Sequence, residues 1–214
     1  MKFDAIFWDN DGVLVETEHL YFQANREVFR DMGVELTKEL YQQFFLHDNT
    51  GTWHLIDAEK FPSDVQLEYR QKRGDVYSKL LESEDISKPL VDKVLPQLHG
   101  KVEMGIVTSC EKEHFQAIHR RTGFLPYFSF VVASGDYQIS KPDPEPYLKA
   151  LQISGFAPEK CLVIEDSQRG LLAAKAAGLE CWVIPTELTR DSDFSRADRV
   201  LSDIGQLVGL LGLE

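Results

Sequence analysis

Apolar residues follow two rhythms along the chain. Short, nearly unbroken runs stand at 3–8 (FDAIFW), 104–107 (MGIV), 130–133 (FVVA), 161–164 (CLVI) and 181–184 (CWVI). Each has the length of a strand, β-branched residues are frequent, and turn or polar residues flank them, as in strands buried on both faces. Helical patterns separate the last four, at 111–122, 144–154 and 168–177, the last closed by Gly178 as a stop signal. Strands alternating with helices of this length predict βαβ crossovers, hence an α/β fold with a parallel sheet and helices on both faces.

From Thr17 to about Leu81 the rhythm changes. TEHLYFQANREVFRDMG, TKELYQQFF and PSDVQLEYRQKRGDVYSKLLES carry helical periodicity without a convincing strand, and HDNTGTW interrupts them. The simplest organisation is an all-helical insertion, 17–81, in a core built from 1–16 and 82–214.

Composition narrows the partners. The 214 residues suffice for a sizeable hydrophobic core, and the net charge of −12 repels nucleic acid and anionic lipid. No apolar stretch approaches the length of a membrane span, and nothing resembles a secretory leader. Cys110, Cys161 and Cys181 are odd in number and lack metal-type spacing, so they read as reduced thiols. A cytoplasmic protein, monomeric or weakly dimeric, is the expectation. An anionic substrate would require a local cation or a metal to overturn the acidic field.

In open parallel sheets, ligands bind at the carboxyl ends of the strands. There stand Asp9-Asn10-Asp11-Gly12, then Thr108-Ser109-Cys110, then a segment leading to Lys141-Pro142-Asp143-Pro144, then Glu165-Asp166-Ser167. One edge thus gathers four carboxylates, two hydroxyls and a lysine. Like charges so close call for a shared proton or a hard cation, and Mg²⁺ on Asp9 and Asp166 suits the oxygen donors. In a regular strand Asp9 and Asp11 would share one face and Asn10 would point away. One carboxylate can then attack phosphorus while the other serves the leaving oxygen as acid and then water as base. Thr108 with Glu111 is a candidate capping box, a helix start there suits a phosphate oxygen, and Asp143-Pro144 reads as N-cap and N1 of the next helix. Lys141 would neutralise the nucleophile and hold the transferring group.

With these residues in order, the chain resembles the haloacid dehalogenase-like hydrolases with a helical cap. The motifs are DNDG (Asp9, Asp11), IVTSC (Thr108), KPDPEPY (Lys141) and VIEDSQRG (Glu165, Asp166). The resemblance implies a Rossmann-like core, a nucleophilic Asp9 that forms an aspartyl-phosphate, Asp11 as acid and base, and Thr108 and Lys141 on the phosphoryl group. It also implies Mg²⁺ held by Asp9, Asp166 and the backbone carbonyl of Asp11, with Glu165 in the same acidic pair. Asp11 is the choice of phosphatases and phosphomutases in this family, which argues against dehalogenation.

A member resembling β-phosphoglucomutase would carry a histidine where this chain has Tyr21, and an arginine in the loop that here reads HDNTGTW. A guanidinium fork is the natural reader of a second phosphate. The expectation is therefore hydrolysis of a small sugar- or polyol-like monophosphate, with Ser109, Tyr21, Asn49 and Trp53 as substrate-contacting candidates. Arg26, Arg30, Arg70 and Arg73 keep a sugar phosphomutase as the alternative should any turn inward. A phospho-accepting signalling module and a non-catalytic binding protein are the remaining readings.

Overall fold

The computed structural model describes residues 2–47 and 51–213. Its first strand, β1 (Ala5–Trp8), is followed by three helices, α1 (Glu18–Asp31), α2 (Lys38–Tyr41) and α3 (Ser63–Ser83). The chain then alternates: α4 (Val91–Leu98), β2 (Glu103–Val107), α5 (Lys112–Thr122), β3 (Phe130–Val132), α6 (Glu145–Ser154), β4 (Cys161–Glu165), α7 (Gln168–Ala176) and β5 (Glu180–Val183). A two-residue edge strand, β6 (Arg199–Val200), and α8 (Gln206–Leu210) complete it. Among the described residues the sheet has six strands in the order β3-β2-β1-β4-β5-β6, all parallel.

Both faces of the sheet are buried, which explains why its strands read as continuous apolar runs. Ile6 and Trp8 face one core with Leu162, Ile164 and the α4 residues Val91, Val94, Leu95 and Leu98. Ala5 and Phe7 face the other with Cys161, Val163 and the α7 residues Leu171, Ala173 and Ala174. β1 is central, and Trp8 is in register with Ile106 of β2 and Ile164 of β4. The residues just past each strand therefore emerge side by side. The chain leaves β1 toward β2 and β3 and later returns to β4 on the opposite side, so Asp9 stands where the strand order reverses.

The inserted helices have a core of their own, built from Val28, Phe29, Met32, Leu36, Tyr41, Leu46, Trp53, Ile56 and Phe61. α2 continues into a π-helical turn, Gln42–His47, a distortion often found at functional sites. This turn reaches the loop after β5, where Gln42 Nε2 donates to the Leu188 carbonyl at 2.7 Å and His47 Nε2 lies 3.1 Å from Ser192 Oγ. No helix among the described residues is long and apolar enough to cross a membrane.

Candidate active site

β1 ends at Trp8, and the chain turns at once. The Asn10 carbonyl accepts from the backbone N–H groups of Val13, Leu14 and Val15, and Gly12 adopts φ +84°. A side chain at Gly12 would also collide with Asp166, its Cβ lying 2.3 Å from Oδ2. Glycine is thus required both by conformation and by the approach of a carboxylate. Asp9 and Asp11 therefore do not share the face of a regular strand, yet both line one cavity of about 240 Å³ over the sheet edge. Asn10 is not turned away from the site either. It is fully buried, and its Nδ2 donates to Asp11 Oδ2 at 3.2 Å.

Lys141 is 2 % exposed and sits at the centre of the charges. Its Nζ donates to Asp9 Oδ1 at 2.7 Å, Glu165 Oε1 at 2.7 Å and the Val107 carbonyl at 2.8 Å. Glu165 is further engaged by the Tyr147 hydroxyl on Oε1, and by the Asp166 N–H and Ser167 hydroxyl on Oε2. Side-chain oxygens of Asp9, Glu165 and Asp166 lie within 4.8 Å of one another, a hard-donor set that fits a divalent cation such as Mg²⁺. With both Glu165 oxygens bonded to the protein, Asp9 and Asp166 have the freer donors of the three.

Burial governs the protonation of this cluster. It pushes Asp9 up to about 7, against the lowering influence of Lys141 and with added repulsion from Glu165 and Asp11. Burial, followed by the charges of Asp9 and Glu165, raises Asp166 well above the carboxylate range. Burial opposes the Glu165 charge too, but Lys141 outweighs it and holds that carboxyl below its ordinary value. Lys141 is likewise raised, its burial outweighed by Asp9 and Glu165.

Thr108 is buried, and its Oγ1 lies 3.4 Å from Asp11 Oδ2 and accepts from the Cys110 N–H at 3.0 Å. The expected Thr108–Glu111 capping box does not form. α5 starts only at Lys112, with Glu111 as an N-cap that makes no side-chain bond, because Thr108 is turned toward the site. Ser109 lines the cavity with its Oγ buried, beside Tyr137. α6 starts one residue later than expected, with Pro144 rather than Asp143 at the N-cap, and Asp143 Oδ1 accepts from the Glu145 N–H at 2.9 Å from the position before it.

The helical insertion supplies the opposite wall. Tyr21 lines the cavity, packed edge-on against Tyr77 and Phe45. Trp53 does not. It is buried in the core of the inserted helices against Phe29, with the Arg70 guanidinium 4.0 Å from its ring centroid. Asn49 lies outside the described residues, with Asp48 and Thr50. Arg26, Arg30, Arg70 and Arg73 are absent from the described cavity lining, and Arg73 instead covers Tyr21 at 5.2 Å. Several lining residues were not among the sequence candidates, and two of them, Glu18 and Arg169, bring opposite charges to the wall. Glu18 accepts from the Tyr41 hydroxyl, and its carboxyl is raised by burial against the field of Arg169. Arg169 stands on the first turn of α7, the helix that follows β4, and reaches the cavity from there.

A Rossmann-like parallel sheet with a helical insertion after its first strand, and acids, hydroxyl and lysine gathered at one edge, define a phosphoryl-handling α/β hydrolase. Residues 3–178 match the haloacid dehalogenase-like hydrolases, and the chain belongs to that family as a phosphatase-type enzyme. It is 31% identical over 222 residues to protein CbbY of Cereibacter sphaeroides, covering 99% of this chain and 96% of that protein. It is also 31% identical over 183 residues to the fructose-1-phosphate phosphatase YqaB of Escherichia coli, covering 84% of this chain and 95% of that one. A solved structure of a CbbY variant from Rhodobacter sphaeroides with xylulose-(1,5)bisphosphate superimposes with a TM-score of 0.82 at 27% identity, covering 99% of each chain.

Proposed function

We propose that this protein is a Mg²⁺-dependent phosphatase that hydrolyses a small sugar- or polyol-like phosphate monoester through an aspartyl-phosphate on Asp9. The observation that carries this reading is the Asp9 carboxyl bonded to a buried lysine at 2.7 Å, in a cavity shared with a second carboxyl, Asp11. The xylulose-(1,5)bisphosphate bound to the CbbY variant and the fructose-1-phosphate in the name of YqaB support the sugar-phosphate class.

Asp9 and Asp166, with the Asp11 backbone carbonyl, would hold the Mg²⁺, while Glu165 orients Lys141. When bound, the ion offsets the negative charge that would otherwise repel a phosphate from this acidic cavity. A carboxylate oxygen of Asp9 attacks phosphorus, forming the acyl-phosphate bond as the ester P–O bond breaks. Asp11 gives its proton to the departing alkoxide, then takes one from the water that attacks the acyl-phosphate, releasing inorganic phosphate and regenerating Asp9. Lys141, Thr108 and Ser109 hold the phosphoryl oxygens throughout. Residues 17–81 act as a cap that reads the leaving group with Tyr21, Glu18 and the aromatic wall.

A phosphomutase needs a cation placed for a second phosphate. Among the described lining residues the permanent cations are Lys141, engaged by Asp9 and Glu165, and Arg169, whose field meets Glu18. Hydrolysis is therefore the better fit. Phosphate release from a panel of sugar and polyol phosphates, with and without EDTA, tests the proposal. EDTA and Asp9→Asn should each abolish turnover; undiminished turnover in Asp9→Asn would refute it.

A further inference from the structure

The acid–base carboxylate is tied to a buried histidine that belongs to none of the four motifs. His119, on α5, is 4 % exposed and Asn10 has no exposed surface. The imidazole Nε2 lies 2.8 Å from Asn10 Oδ1, and Nδ1 lies 2.9 Å from Thr122 Oγ1. Asn10 Nδ2 then meets Asp11 Oδ2 at 3.2 Å.

Hydrogen-bond direction follows from the inventory of donors. With Nδ2 on Asp11 Oδ2, the Asn10 amide directs its carbonyl oxygen at His119. Oδ1 therefore needs a donor there. His119 Nε2 must carry that proton, which leaves Nδ1 to accept from the Thr122 hydroxyl. Thr122 Oγ1 itself accepts from the Phe124 N–H at 3.3 Å, so its own proton is available to the ring. Burial supports a neutral imidazole, pushing His119 down to about 4 against the opposing charge of Asp11.

We propose that His119 is a positioning residue for the proton-transfer step, acting through the Asn10 amide to hold the Asp11 carboxylate where the leaving oxygen departs. This role rests on Asp11 being the proton donor of the phosphatase reading above. Proton transfer demands hydrogen-bond reach in a set direction, and a small misplacement of the donor is costly. Thr17 Oγ1 holds Asp11 Oδ1 and Thr108 Oγ1 approaches Oδ2, so Asn10 supplies the remaining lateral constraint on that second oxygen.

The leaving group makes the test specific. An alkoxide must be protonated as it departs, whereas 4-nitrophenolate departs with little assistance. Single-turnover release of the leaving group is measured for a sugar phosphate accepted by the wild type and for 4-nitrophenyl phosphate, in wild type, His119→Leu, His119→Gln and Thr122→Val. His119→Leu should slow sugar release by about tenfold or more. Nitrophenol release should stay within about twofold, and KM for both esters should hold. His119→Gln, whose amide can donate to Asn10, should recover most of the loss. Thr122→Val, at the half-exposed outer end of the chain of bonds, should shift the same ratio in the same direction and decides the matter if His119→Leu does not fold. Equal losses on both esters, or no loss, would overturn the role. Wild-type protein silent on both would overturn the phosphatase reading, and this role with it.

Discussion

Gly170 lies inside α7, where exchanging glycine for alanine ordinarily stabilises a helix by about 1 kcal/mol. Here the expected sign is reversed. A Cβ on Gly170 would lie 1.9 Å from Cδ and Oε1 of Glu165 and 2.1 Å from Oε2. That carboxylate has nowhere to swing, since Lys141 and Tyr147 hold Oε1 at 2.7 Å each while Asp166 and Ser167 hold Oε2 at 3.2 and 3.1 Å. Losing one charge-assisted bond costs about 1.5–3 kcal/mol. Overpacking adds about 1–3 kcal/mol. Subtracting the helix gain leaves Gly170→Ala destabilised by about 3 kcal/mol. Urea denaturation of the two proteins in parallel reads this directly, and phosphate release should fall as well because Lys141 loses an anchor. A Gly170→Ala protein as stable as the wild type, or more so, would refute the placement of Glu165 against α7.

Lys141→Met leaves Asp9 and Glu165 buried without their cation and should cost about 3–5 kcal/mol in a denaturant titration with EDTA. Its turnover should drop by about 10²–10³, and a variant near wild-type activity would contradict the role of the lysine. In the metal-free protein above about pH 6.5, His119, pushed down to about 4, is neutral when folded and only about half a proton remains on the unfolded imidazole, a smaller contribution opposite in sign to that of the two raised carboxyls. Asp9 is a carboxyl raised by burial to about 7, so its contribution to stability is complete below its unfolded value and is lost as pH rises through about 7; Asp166 acts in the same direction. Thermal melts in EDTA should therefore shift down between pH 6.5 and 8, and added Mg²⁺ should raise the midpoint more at pH 8 than at pH 6.5. A flat profile, or the larger metal effect at the lower pH, would count against the buried acidic site.

The catalytic half of the site was legible because it depends on local chemistry at strand ends. Runs such as CLVI and MGIV announce buried strands, and a parallel sheet sets whatever follows them along one edge. Where the strand stopped was less legible. Period two continued past Trp8 sends Asn10 outward, whereas the turn over its carbonyl and the left-handed Gly12 send it inward to His119. β6 is illegible in the sequence because two exposed residues at a sheet edge carry no pattern. α4 is masked by Pro96, a helix breaker that lies within it.

The cap half depends on tertiary packing, which periodicity does not encode. Tyr21 and Trp53 are both aromatic residues of the inserted helices, yet one faces the cavity and the other fills their core. Arg169 was reachable from the sequence by following the helix after VIED back to its own strand end.

The central claim is covalent chemistry on Asp9. Acid-quenching the enzyme during turnover of a ³²P-labelled sugar phosphate, followed by proteolysis and mass spectrometry, measures it directly. The label is expected on the peptide that carries Asp9, labile to hydroxylamine as an acyl-phosphate and absent from Asp9→Asn. Rapid turnover with no protein-bound label, or label on any other residue, would contradict it.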